Sequence, residues 1–151
     1  MLFWKSKKKT EQTTGKTTGE GLVDDLSELG ISLDSTVTDP STALLGGISK
    51  ADLRFAYSNL KKGNADQAIS GATSLIQRLE KEPAYQNLLS TYSAYKRVLG
   101  AAYYVLGLGH ETKDMKAEAA MNFRTAMLLH PGFSPAEQGF NRVVLSARVE
   151  K

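Results

Sequence analysis

The sequence contains no cysteine, which excludes disulfides, thiolate metal sites and cysteine nucleophiles together. It has two histidines, His110 and His130, which leave little for metal or acid–base chemistry. Tryptophan occurs once and proline four times in 151 residues. No apolar run approaches the roughly 18 residues a bilayer-spanning helix needs. What is present is 41% hydrophobic and 23% charged residues, enough for a packed core, so wholesale disorder is excluded. The length suits one domain, or one domain with a tail.

Charge of one sign is missing from whole blocks of the chain. Residues 1–20 carry five lysines against Glu11 and Glu20. Residues 21–47 carry Asp24, Asp25, Glu28, Asp34 and Asp39 and no basic residue. Residues 48–151 carry fourteen Lys and Arg against nine Asp and Glu. The formal charge of +3 therefore conceals a basic, an acidic and a mildly basic block. Such asymmetry bears on association and solubility, not on fold.

Residues 5–21 lack large apolar side chains and read as a flexible linker. Residues 36–47, with Pro40 and a double glycine, read as a second connector. The expected organisation is a flexible tail over 1–48 and a helical domain over 49–151. Ser49, with Asp52 three residues on, reads as the cap of a first helix, whose stripe is Leu53, Ala56, Tyr57 and Leu60. Ala65, Ala68, Ala72, Leu75, Ile76 and Leu79 recur at helical spacing up to Pro83. A third helix is expected over about 84–106, ended by Gly107 and Gly109, and a fourth over about 115–130, ended by Pro131-Gly132. Ser134-Pro-Ala-Glu137 is a capping box for the last helix. No alternating run argues for a strand, so the fold class is all-α, with antiparallel helix pairs.

Leu99-Gly100, Tyr103, Ala119, Phe123, Ala126 and Pro131 follow one another in an order that resembles the tetratricopeptide repeat family. The gap between Tyr103 and Ala119 is longer than in that family and implies an extended loop around 107–114. A weaker unit has Tyr57, Gly63, Ala68 and Pro83, with Ala72 where an aromatic is expected. Asp52 and Lys96 fall near the position where the family often has tryptophan. The resemblance covers about 50–131, with 134–149 as a capping helix, and implies a short solenoid. Such stacks present a concave surface to peptides or proteins. The resemblance turns Lys50, Tyr57, Lys61, Arg97 and Tyr104 toward that groove, a set suited to an acidic or C-terminal peptide. The alternative is that these are ordinary solvated side chains.

No catalytic constellation is found, and neither a cofactor nor a metal is expected. Thr14-Gly15-Lys16-Thr17 ends like a phosphate-binding loop but has Thr10 where the first glycine belongs. His110-Glu111 lacks the second histidine of a zinc protease motif, and the nearby glycines place it in a loop. His130 reads as a partly charged imidazole at a helix C-terminus.

Leu2, Phe3 and Trp4 stand directly before Lys5, Lys7, Lys8 and Lys9. A secretory signal places its charges before a longer apolar core, so this is not one. The order suits an interfacial foot, with the aromatics at headgroup level and the lysines on anionic lipid, giving reversible binding. A solvated tail is the equal alternative, and nucleic acid is disfavoured because no aromatic–basic platform follows. In the acidic block, Leu22, Val23, Leu26, Leu29 and Leu33 recur at helical spacing among Asp24, Asp25 and Glu28. Three readings of this block stand together: docking into a partner, folding back over the basic groove, or plain packing on the domain. The expectation is a cytoplasmic protein-binding adaptor, peripheral at the inner face of a membrane if the tail is a foot. The competing class is a structural subunit or assembly factor of a larger complex.

Overall fold

A computed structural model describes residues 25–32, 37 and 39–149. Six helices follow in order: α1 (Pro40–Lys61), α2 (Ala65–Lys81), α3 (Pro83–Thr91), α4 (Ala94–Thr112), α5 (Lys116–Leu129) and α6 (Ser134–Val149). A further helical turn covers 25–28, and there is no strand among the described residues. The fold is all-helical.

The first helix starts nine residues before Ser49. Asp39 is its cap, accepting the Thr42 N–H at 2.9 Å and the Thr42 hydroxyl at 2.8 Å, and Pro40 occupies the first turn. Residues 36–47 are therefore not a connector, because most of them form the first two turns of α1. The double glycine lies inside the helix, and a Cβ on Gly46 would run into the Tyr95 hydroxyl. Ser49 is not a cap but a buried mid-helix residue whose hydroxyl donates to the Leu45 carbonyl at 2.9 Å. Asp52 pairs with Arg78 of α2.

The expected third helix is two. The chain breaks at Tyr92–Ser93 between α3 and α4. Gly107 and Gly109 do not end α4, which continues to Thr112. They are close-contact positions, since a Cβ on Gly107 would stand 2.8 Å from the Phe123 ring and one on Gly109 2.6 Å from Ile69. The extra residues between Tyr103 and Ala119 are thus additional helix, and only Lys113–Met115 form the loop, with Asp114 at φ 61°. α2 and α5 match the periodicity of the sequence, and α6 starts at Ser134, where the last helix is expected.

Each long helix packs on the next long one: α1 on α2, α2 on α4, α4 on α5, α5 on α6. α4 also touches α1 and α6. Ala68 and Ala72 of α2 and Ala119 and Ala126 of α5 are fully buried, which permits these close approaches. Leu53, Leu75, Leu79, Val98 and Val105 form the centre of the larger core, and Phe123 with Val143 the smaller one.

Candidate functional site

The five residues expected in the groove lie around the seam between α1 and α4, and a segment of the same chain occupies that seam. Residues 25–28 form a helical turn that ends at Gly30, φ 72°. The Gly30 N–H donates to Ser27 and the Ile31 N–H to Leu26, both at 2.9 Å. That pair of bonds is a Schellman termination, with glycine at the left-handed position and Ile31 and Leu26 as its apolar pair. Leu-x-x-Leu-Gly-Ile carries this signal in the sequence, although the periodicity alone does not expose it.

Leu26 and Leu29 are 0% exposed and Ile31 is buried beside them. Above them, Asp25 accepts from the Lys61 ammonium at 2.8 Å and Glu28 from the Tyr57 hydroxyl at 2.7 Å. Lys61 also reaches Glu28 at 3.4 Å and lies 5.0 Å from the centre of the Tyr57 ring. Burial, then the hydrogen bond to Glu28, pushes the Tyr57 phenol well above its ordinary range, and the bond to Asp25 raises Lys61.

At the other end of the segment, Gly30, Ile31 and Ser32 line a pocket of about 240 Å³ with Lys50, Tyr95 and Arg97. The Lys50 ammonium lies 5.4 Å from the centre of the Tyr95 ring. Residues 25 and 28 thus meet Lys61 and Tyr57, while 31 and 32 lie near Lys50. The segment runs antiparallel to α1.

His130 fixes the middle. It caps the C-terminus of α5, is buried, and its Nε2–H donates to the Leu29 carbonyl at 3.0 Å. Phe133 stacks on it at 4.5 Å. A Cβ at position 30 would fall 2.7 Å from His130 Nε2, which requires glycine there. Burial lowers the His130 pKa, and Nδ1 has no hydrogen-bond partner among the described residues. The imidazole is therefore neutral, not the partly charged dipole partner expected from its place on the helix. Sequence pattern alone does not reveal this role, because Leu29 and His130 are 101 residues apart. His110 also differs from expectation: it sits in the last turn of α4, not in a loop, and its Nδ1 is 2.9 Å from the Asn122 amide nitrogen.

Magnitudes show which contacts hold the segment. Each buried aliphatic side chain contributes roughly 1.5–3 kcal/mol. Exposed ion pairs contribute about 1 kcal/mol or less. The buried leucines therefore contribute more to holding the segment than the acid contacts do. Ordering the segment costs about 1–2 kcal/mol per residue, which offsets that gain almost entirely.

Tyr104 is not free in a groove. Its ring meets Phe133 edge-on at 5.1 Å and Phe123 at 5.9 Å, and burial raises its phenol pKa. The expected membrane-contact residues Leu2, Phe3, Trp4, Lys5, Lys7, Lys8 and Lys9 lie outside the described residues, as do Thr14–Thr17, Leu22, Val23 and Leu33. Among the described residues no helix is long and apolar enough to cross a membrane, and no cluster of three His, Asp or Glu is placed to hold a metal. No family model matches this sequence, and no curated protein and no solved structure is significantly similar to it.

Proposed function

We propose that this protein is a non-catalytic adaptor that binds an acidic, leucine-bearing segment of a protein partner along the α1–α4 seam. The observation that carries this reading is the seated segment 25–31. It supplies two carboxylates to Tyr57 and Lys61 and two leucines to the seam beneath. The order of helix neighbours supports a short stack of tetratricopeptide-like pairs, α1–α2 and α4–α5, with α3 inserted between them and α6 as the cap. In that reading α1 and α4 are the first helices of the two pairs and line the concave side. The pocket lined by Ser32, Tyr95 and Arg97 extends the seam beyond the seated turn, and the Arg97 guanidinium there suits a carboxylate. The proposed setting is the cytoplasm, with the N-terminal tail as a reversible contact to anionic lipid.

A pull-down with the full chain, followed by the same with Lys50→Ala and Arg97→Ala together, tests this. Partner capture should fall on the double substitution while helical content is retained. Capture that ignores both residues moves the site away from this face.

A second reading, a subunit or assembly factor of a larger complex, is favoured by one feature. Leu44, Ile48 and Phe55 lie on one face of α1, and Leu44 and Phe55 are 65% and 64% exposed. Sedimentation of the full chain separates the two: an adaptor alone is a monomer, whereas an obligate subunit self-associates.

A further inference from the structure

We propose that residues 25–31 are a built-in competitor, and that the partner presents the same chemistry: an acidic helical turn of the form acid-Leu-x-acid-Leu-Gly-aliphatic. The proposal rests on the adaptor reading. Three observations lead to it. First, the turn closes its own backbone bonds through Gly30→Ser27 and Ile31→Leu26, and among the described residues only its Leu29 carbonyl bonds to the helices, through His130. Its docking depends on side chains, so another chain with the same pattern can take its place. Second, the charges divide at this contact: residues 21–47 hold five acids and no base, while the seam presents Lys61, Lys50 and Arg97. Third, the glycine requirement at position 30 comes from the receptor as well as from the turn, because His130 and Phe133 close on that point. The seam therefore selects glycine after the second leucine.

The binding-competent fraction sets the apparent affinity, so a docked internal segment weakens binding of any external one by the fraction it leaves open. The probe is a labelled peptide of residues 20–32, titrated by fluorescence anisotropy against the full chain and against the full chain carrying Asp25→Lys and Glu28→Lys. The reversed chain should bind the peptide about tenfold tighter or more, with helical content retained. A peptide with alanine at position 30 should bind at least about tenfold more weakly.

Equal affinity of the two chains, both folded, overturns the proposal. So does loss of helical content on charge reversal, since the segment would then be a fixed part of the fold. A concentration-dependent dimer of the reversed chain that the peptide fails to dissolve overturns it in favour of a second copy as occupant. In each of these cases, partner capture that still depends on Lys50 and Arg97 leaves the adaptor reading standing. Absence of both peptide binding and partner capture removes the two together.

Discussion

The two ends of the helical array bury apolar surface in different ways. Around α1, α2 and α4 the core is spread over many side chains, with Leu53, Leu75, Leu79, Val98 and Val105 all interlocked and residues 25–31 laid on top. Between α5 and α6 the core is focused on Phe123, fully buried, with Ala119 and Val143 around it and Gly107 and Gly139 opened to receive its ring. A distributed core shares the loss of one side chain among its neighbours. A focused one does not, because glycines cannot move in to fill the gap.

Phe123→Ala breaks this comparison most directly. It should cost about 3–5 kcal/mol in denaturant melts, as for a fully buried aromatic. A loss below about 1 kcal/mol would show that the focused core does not hold α5 and α6 together. Leu29→Ala should cost less, about 1–2 kcal/mol, although Leu29 is equally buried. Its loss is capped by the free energy of undocking the segment, after which the remaining helices stay folded. A cost in the upper part of the 2–5 kcal/mol range usual for Leu→Ala would make the segment part of the core proper.

The same contrast explains what was legible in the sequence. Helix type and most boundaries follow from apolar spacing, and α2 and α5 appear within a residue or two of expectation. The glycines mislead. Gly46, Gly107 and Gly109 look like breaks because glycine costs helix stability, yet each lies where another side chain comes too near for a Cβ. That information is tertiary and absent from local pattern. Asp39-Pro40 carries the true start of α1, and the double glycine that follows obscures it. Within the site, the expected residues are gathered about one seam. What local pattern does not supply is the choice among the three readings of the acidic block, because that depends on His130 and Lys61, far away in the chain.

pH sharpens the difference between the seam and the rest. Burial lowers the His130 pKa in the folded state below the ordinary value of 6.5. The unfolded chain therefore binds the proton first, and stability present above pH 6.5 is lost as pH falls toward the lower folded value. Protonation would also place a second N–H at Nδ1, which is buried without an acceptor among the described residues. Thermal melts should show this loss in mildly acid solution, before the carboxylates titrate. His130→Gln should flatten the profile in that window, and an unchanged slope would assign it to another group.

Smaller still is the expected stability effect of the exposed cations. Arg97→Ala with Lys61→Ala should change stability by no more than about 0.5–1 kcal/mol, since exposed pairs contribute little. Binding of the 20–32 peptide to the chain with its internal segment undocked should nevertheless weaken. Unchanged affinity would place recognition wholly in the leucines. A large loss of stability would make these charges structural.

The smallest expected effect on the fold belongs to the N-terminal tail, and there the contrast is between the helical array and the residues before it. Deleting residues 1–9 removes Leu2, Phe3, Trp4 and four lysines and no residue of α1–α6, so melting temperature and helical content should not move. The tail's own role is read separately. If it is an interfacial foot, the full chain should sediment with anionic vesicles at low salt and release as salt rises, because screening weakens the attraction of each lysine, about 1 kcal/mol at the surface. Trp4 is the single tryptophan, so its emission reports the event without a label. A blue shift with anionic vesicles and none with neutral ones assigns the tail to the membrane surface. Emission that stays water-like with both excludes the foot and leaves residues 1–9 as a linker or a protein-docking segment.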